Sequence, residues 1–311
     1  MHSFNAKNNI TFVDYLFSHL REFYKPVEYL QNSRKAYKNY FHVIYNQRRK
    51  NYPFKAILRS GNTLSIENIS QLRITRRALE NECDFQNDIL IIKKKGLPEV
   101  KFYDWKDNGD IISVFFEDEY SSLPVLNKEV IDIGSNIADS SIYFALCGAK
   151  KVIAVEPAPK SYQSAKKNVE LNGLSNKIDL INAGCSDKEG SISVGAAKSG
   201  IIYSLENDQE EEVEVPLTTL NEILKGMKTR DCILKMDCEG CEYETILSAS
   251  KETLSNFSHL QIEYHFGYKN LKNKLENCGF DVEVTKPRIG KRLFQESKKT
   301  FYGYIFAKRK S

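Results

Sequence analysis

Between residues 129 and 264, short apolar runs recur with amphipathic stretches between them. Val130-Ile131-Asp132-Ile133, Val152-Ile153-Ala154-Val155, Ile178-Asp179-Leu180-Ile181, Cys232-Ile233-Leu234-Lys235-Met236 and Leu260-Gln261-Ile262-Glu263-Tyr264 read as strands. Each is too short for a buried helix and rich in β-branched residues. Helices are predicted over about 138–147 and 159–171. Strands separated by helices imply parallel pairing with right-handed crossovers, hence a doubly wound α/β sheet. Near the end, Phe280-Asp281-Val282-Glu283-Val284 and Phe301-Tyr302-Gly303-Tyr304-Ile305-Phe306 predict an antiparallel pair closing that sheet. Residues 185–216 break the rhythm, and Glu210-Glu211-Glu212 within them reads as exposed loop.

The pattern before residue 125 is different. Phe12, Tyr15, Leu16, His19, Leu20 and Phe23 recur at helical spacing, so residues 10–50 predict helix, with a break near Pro26. Tyr37, Tyr40, Phe41, Ile44 and Tyr45 form an aromatic stretch expected to pack internally. Ser60-Gly61-Asn62 between two apolar runs predicts a hairpin. Ile89–Ile92, Val100–Phe102 and Ile111–Phe115 predict further strands, with a turn at Asp107-Asn108-Gly109-Asp110 between the last two. The expected division is therefore a smaller α+β region over 1–124 and a sheet domain over 125–311.

A chain of 311 residues has room for two such units. A formal net charge of +4 neither shows nor excludes a basic nucleic-acid face. Arg48-Arg49-Lys50, Lys93-Lys94-Lys95 and Lys308-Arg309-Lys310 are short basic runs and read as solvated surface. Seven cysteines form no disulfide-like framework. No secretory signal is evident, and no segment approaches the ~18 apolar residues of a membrane span. The expectation is a reducing, cytoplasmic setting.

In such a sheet, ligands bind beyond the carboxyl ends of the strands. The first end is Asp132-Ile133-Gly134-Ser135-Asn136, running through Ile137-Ala138-Asp139 to Ser140. Gly134 permits a tight turn and close backbone approach. The helix start offers N–H groups to an anionic ligand end, and Asp132 offers an acceptor to an ammonium or hydroxyl. A dinucleotide fingerprint needs three glycines around the pyrophosphate. The single glycine favours a ligand with an amino-acid head. Glu156-Pro157 ends the next strand, where a carboxylate takes both hydroxyls of a ribose. Asn182-Ala183 follows the third strand, with small and polar residues suited to an adenine edge.

Further on, Asp237 and Glu239 lie two apart at a strand end and face the cleft, while Glu242 suits the start of the following helix. Cys238 and Cys241 have C-x-x-C spacing without the second pair a structural zinc needs, and read as small packing residues. His265, one of five histidines, follows the fifth strand at the same edge and is open to two readings, base or packing residue.

Together these residues resemble the FkbM family of class I methyltransferases, over roughly 125–285. The matching pieces are Val130–Asn136, Val155-Glu156-Pro157, Lys167-Asn168 with Leu171-Asn172, Leu217-Thr218-Thr219-Leu220, and Lys235-Met236-Asp237-Cys238-Glu239-Gly240-Cys241-Glu242. The family usually has a second glycine where this chain has Ala138. The resemblance implies a Rossmann-like, mostly parallel seven-stranded sheet with an antiparallel C-terminal strand. It also implies S-adenosyl-L-methionine as cofactor and O-methylation of a hydroxyl on a sugar, glycolipid or small metabolite. By the same analogy Asp132, Gly134 and Asn136 lie at the methionine end, Glu156 at the ribose and Asn182 near the adenine, and Ser135, Ser140, Pro157, Ala183 and Asp237 are also expected among the cofactor-binding residues. Asp237 or His265 would take the acceptor's proton, with Glu239 as orienter. Asp237 and Glu239 holding a divalent ion is a minor alternative, and no resident metal is expected. Two other functions share this sheet: an NAD-dependent oxidoreductase, and a binding protein without activity. The expected partner is a small-molecule or glycan acceptor; a nucleic-acid methyltransferase stays open as a less favoured reading, since the chain has no Asn-Pro-Pro-Tyr-like motif for base amines.

Overall fold

The computed structural model describes residues 30–108, 110–195, 212–289 and 301–310. They form two compact units, Met1–Asp88 and Ile89–Ser311. In the first, helix α1 (Tyr40–Arg49) is followed by an antiparallel hairpin of β1 (Phe54–Ile57) and β2 (Thr63–Ile66). Helix α2 (Ile69–Glu80) and strand β3 (Asp84–Gln86) complete it. The hairpin's alternation places Phe54, Ala56, Leu64 and Ile66 inward. Asn68 caps α2 by accepting from the Gln71 amide, the ordinary device for a first-turn N–H. The aromatic stretch is divided. Tyr37 is buried, but α1 turns Val43 and Asn46 inward and leaves Phe41 and Tyr45 exposed. The helix predicted over 10–29, with Phe12 to Phe23 and Pro26, lies outside the described residues, as do Glu210 and Glu211 of the acidic run.

The second unit starts with an antiparallel pair, β4 (Ile89–Ile92) and β5 (Val100–Phe102). Residues 111–115 are not the strand predicted. They lie in helix α3 (Asp110–Phe116), with Ile111, Ile112, Val114 and Phe115 buried. A short apolar run fits a buried helix as well as a strand. The cue that decides is Asn108, whose Oδ1 accepts from the Asp110 amide and starts a helix instead of a hairpin.

The main sheet contains β6 (Glu129–Ile133), β7 (Lys151–Val155), β8 (Ile178–Ile181), β12 (Cys232–Met236), β13 (Phe257–Tyr264), β14 (Phe280–Val284) and β16 (Phe301–Arg309). Its order is β14-β16-β13-β12-β6-β7-β8. Pairing is parallel from β13 through β8. Strand β16 runs antiparallel to both neighbours, and the two-residue β15 (Arg288–Ile289) adds to its end. This is the expected seven-stranded Rossmann-like sheet with one antiparallel C-terminal strand. The order reverses between β6 and β12, the switch point where such sheets bind ligands.

Helices α4 (Asp139–Leu146) and α5 (Pro159–Leu171) are the crossovers after β6 and β7. Pro159 at the first position of α5 is pre-set for a helix start. The stretch predicted as irregular contains a small sheet. Strand β9 (Gly184–Cys185) pairs parallel with β11 (Glu212–Thr218), which pairs antiparallel with β10 (Gly190–Gly195). Glu212 of the acidic run is therefore the first residue of a strand. Thr219 then caps the short α6 (Leu220–Leu224) by accepting from the Glu222 amide. Helix α7 (Cys241–Ser248) follows β12, α8 (Lys251–Leu254) precedes β13, and α9 (Lys269–Asn277) joins β13 to β14.

Residues 89–124 pack with this sheet. Asn168 on α5 accepts from the Tyr103 amide at 2.7 Å, and Asn172 accepts from the Lys101 amide at 2.9 Å. Each side-chain amide also donates to the matching carbonyl. The division into compact units thus falls at 88/89, whereas the sequence places the change of character at 124/125.

Candidate active site

Strand β6 delivers Asp132 into a fully buried position. An isolated carboxylate there would be costly, and this one is paired throughout. Its Oδ2 accepts from Ser140 Oγ at 2.6 Å and Ser141 Oγ at 2.5 Å. Its Oδ1 faces Lys235 Nζ at 3.1 Å, an ion pair without hydrogen-bond alignment. Lys235, the charged residue inside the apolar run of β12, also donates to the Gly134 carbonyl at 2.8 Å. Burial opposes its charge, but Asp132 and Asp237 hold it protonated. Asp132 and Ser140 are thus engaged with each other beneath the turn.

The turn's first amides are also engaged. Gly134 and Ser135 donate to the Val155 carbonyl at 3.0 and 3.1 Å, and Asn136 donates to Glu156 Oε2 at 2.8 Å. Left free are buried side-chain atoms, Ser135 Oγ and Asn136 Oδ1, which have no partner within the protein. Gly134 has φ 76°, and a Cβ there would come 1.7 Å from the Asp237 carbonyl oxygen. Its close approach is to the β12 loop. Ala138 sits at the start of α4 with φ 67°, the left-handed region that glycine enters without cost.

Glu156, buried at the end of β7, accepts from the Asn136 amide and, at 2.9 Å, the Ala158 amide. Burial pushes its carboxyl up to about 7, against the pull of those two amides. Asn182 donates to the carbonyls of Glu156 and Pro157 at 2.8 and 3.0 Å, so it braces that strand end. Ala183 is buried in the core.

The loop after β12 and the end of β13 bring three predicted residues together. His265 Nε2 lies 3.3 Å from Glu239 Oε2 and 3.9 Å from Asp237 Oδ1. Its Nδ1 is 2.8 Å from Glu242 Oε1. Burial opposes charge on the ring, but the Glu242 hydrogen bond and the surrounding carboxylates push it up to about 9. His265 is therefore an imidazolium at neutral pH. Burial raises Glu239 to about 7, with Asp237 and Glu242 adding to the effect against the opposing pull of His265.

The two cysteines are not separate packing residues, because Cys238 and Cys241 are disulfide-bonded. The bridge closes the loop around Glu239, which has φ 56°.

Several partners in this cluster are not assigned to it from sequence. Glu242, read as support for a helix start, is completely buried and holds the imidazole. Burial, and then the neighbouring Asp237 carboxylate, raise Glu263 far above the usual range. Glu119 accepts from Tyr304 Oη at 2.8 Å and is raised to about 7, mainly by burial. The legible signal was polar residues inside apolar strands: Lys235 in β12, and Glu263 two positions before His265. Glu119 and Tyr304 are distant in sequence and carried no such mark.

Residues 132–282 match the family model described as Methyltransferase FkbM domain. Over these residues the chain is similar to the FkbM methyltransferase domain. The match runs from Asp132 to Val282, within β14, and so includes both the Asp132–Asn136 turn and the Asp237–His265 cluster. No curated protein sequence matches the chain. Among solved structures, it is similar to a precorrin-6y C5,15-methyltransferase from Geobacter metallireducens GS-15, with 14% identity, TM-score 0.36, and 66% of this chain and 89% of that one covered. It is also similar to a ribosomal protein L11 methylase from Lactobacillus delbrueckii subsp. bulgaricus, with 15% identity, TM-score 0.38, and 66% and 80% covered. A tRNA m1G37 methyltransferase from M. jannaschii shows 14% identity, TM-score 0.39, and 73% and 56% covered. The similarity to the FkbM domain rests on the family match alone. Among the described residues, no helix is long and apolar enough to cross a membrane.

Proposed function

We propose that this FkbM-like domain transfers a methyl group from S-adenosylmethionine to a hydroxyl of a sugar, glycolipid or small metabolite. The observation that carries this reading is the direct contact between the Asp132–Asn136 turn and the acidic loop. Asp237 donates its amide to the Ile133 carbonyl at 3.0 Å, and its own carbonyl packs on Gly134. Groups suited to a cofactor and groups suited to an acceptor therefore lie on two backbone segments in direct contact.

The donor set fits the cofactor. Ser135 Oγ and Asn136 Oδ1 are buried polar atoms lacking a protein partner, and such atoms are ordinarily satisfied. They would hold the amino-acid end, with Gly134 shaping the turn. Asp132 and Ser140 would support this end from below. Glu156 would take the ribose hydroxyls on lone pairs its two amide bonds leave free, with Pro157 directing the chain. Asn182 and Ala183 would border the adenine. Bound there, the cofactor supplies an electrophilic methyl on a sulfonium.

The chain's own part is alignment and proton removal. Alignment of reacting groups is worth up to ~7–11 kcal/mol of barrier. Of the two candidates for proton acceptor, the electrostatics favour Asp237. His265 is raised to about 9 and already carries its proton at neutral pH, which leaves the Asp237 carboxylate 3.9 Å from its Nε2 as the acceptor. His265 and Glu239 then orient the acceptor side of the loop. A positioned base contributes about 10²–10⁴-fold.

The test is methyl transfer by Asp237→Asn and His265→Ala, with S-adenosylhomocysteine affinity measured separately. Asp237→Asn should lose turnover by that factor with affinity changed only a few-fold. Near-normal turnover in both variants would overturn the assignment of the acceptor cluster. Binding of NAD with no binding of S-adenosylhomocysteine would overturn the cofactor.

A further inference from the structure

We propose that Asp237, Glu239 and His265 together form a binding site for one divalent cation of the Mn²⁺ or Mg²⁺ class. Each residue offers one ligand atom, and the three atoms all lie within 4.8 Å of one another. An ion bound at about 2.0–2.3 Å holds neighbouring ligand atoms roughly 3–4 Å apart. The Nε2–Glu239 and Nε2–Asp237 separations of 3.3 and 3.9 Å already have that spacing. Binding exchanges the Nε2 proton of His265 for the ion, and little further rearrangement separates the cluster from a facial set of three ligands.

The support behind the imidazole is an independent feature. Metal-binding histidines characteristically direct their other ring nitrogen at a carboxylate, which fixes the ring and raises its basicity. Glu242 does this to His265 from a completely buried position at 2.8 Å. Its second oxygen, Oε2, is buried without any partner. A buried carboxylate left half satisfied is unfavourable unless positive charge is nearby. The imidazole bonds Oε1 through Nδ1, and the Lys235 ammonium is committed to Asp132 and the Gly134 carbonyl, so neither satisfies Oε2.

Two carboxylates and one imidazole suit a hard or borderline cation. Ca²⁺, which takes six to eight oxygens, fits three residues poorly. Glu239 is 45% exposed, so the outer side is open for water or an acceptor oxygen to complete the coordination. Cation binding stands apart from the O-methylation reading. Only its use rests on that reading: with the ion on Asp237, the cation in place of the free carboxylate would draw in an acceptor hydroxyl and ease its deprotonation.

The experiment is Mn²⁺ titration of the chelator-treated full chain, followed by electron paramagnetic resonance and calorimetry, with S-adenosylhomocysteine titrated into the same samples. One Mn²⁺ per chain is expected. Glu239→Gln and His265→Gln should each weaken it at least tenfold. Glu242→Gln, acting through His265, should weaken it about 10–100-fold. Glu239 is partly exposed, so Glu239→Gln tests the site even if the buried Glu242 variant fails to fold. Absence of stoichiometric Mn²⁺, or binding unchanged in both Glu239→Gln and His265→Gln, overturns the proposal. Loss of S-adenosylhomocysteine binding alone bears on the cofactor reading and leaves the cation site standing.

Discussion

At Gly134, φ 76° and the 1.7 Å approach of a would-be Cβ to the Asp237 oxygen combine two penalties. Left-handed strain and forced displacement of packed backbone each cost a few kcal/mol at most, so Gly134→Ala should destabilise by about 2–5 kcal/mol. Equilibrium denaturation measures this, and a loss under 1 kcal/mol would show that the loop yields. Lys235 is the second sensitive residue. Lys235→Met leaves the buried Asp132 with two hydroxyl donors and no counter-charge. Removing one partner of a buried pair costs about 3–5 kcal/mol. The double variant Lys235→Met with Asp132→Asn should recover much of that, because the uncompensated charge is gone. Failure to recover would show that Lys235 acts mainly through the Gly134 carbonyl. Sequence made the turn legible because glycine and a flanking carboxylate are local marks. It did not make Lys235 legible as Asp132's partner, since the two are adjacent only after β12 pairs with β6.

Elements were read well where the period was long and poorly where it was short. The strands of the sheet and helices α4 and α5 lie where the pattern placed them, because a doubly wound sheet buries whole strands and leaves helices amphipathic. Residues 111–115 and 190–218 were misjudged for opposite reasons. The first is a buried apolar run without a distinguishing period. The second pairs strands across an interval too long for a local turn signal. Helix α5 shows a further element-scale device. Asn168 and Asn172, four apart, share a face and act as side-chain substitutes for a strand, each bonding both backbone groups of a residue at 101 or 103. Asn172→Ala should cost about 1–3 kcal/mol. It should also raise amide exchange at Lys101 well above the increase at β6. Equal increases at both would mean that the two elements open as one.

For the second unit taken whole, the buried acids govern the response to pH. Glu119 and Glu156 are raised to about 7 and Asp139 to about 8, each chiefly by burial. His265 is raised to about 9 by its carboxylate partners against the opposing effect of burial. In each case the folded chain binds protons more tightly than the unfolded one. The stabilisation is present below the unfolded values and is lost as pH rises through the folded ones. His259, lowered by burial, works in the opposite direction over a lower range. The cofactor-free protein should therefore melt at a lower temperature at pH 9 than at pH 6, measured by calorimetry at constant ionic strength. A flat or rising melting temperature would contradict the assigned protonation states. This behaviour was not legible in the sequence. Composition records how many acids there are, whereas the response depends on which of them the fold buries together.

The contact between Gly134 and the Asp237 carbonyl also bears on how the protein can change over generations of mutation. A substitution that shifts the Asp237 backbone to suit a new acceptor must be felt at the turn on the other side of that contact. Acceptor scope and cofactor affinity are then epistatic at this point. The exposed ring of Phe266, next in the chain to His265 and beside Tyr243, takes no part in that contact and is a place from which specificity can drift while the Gly134–Asp237 backbone stays fixed.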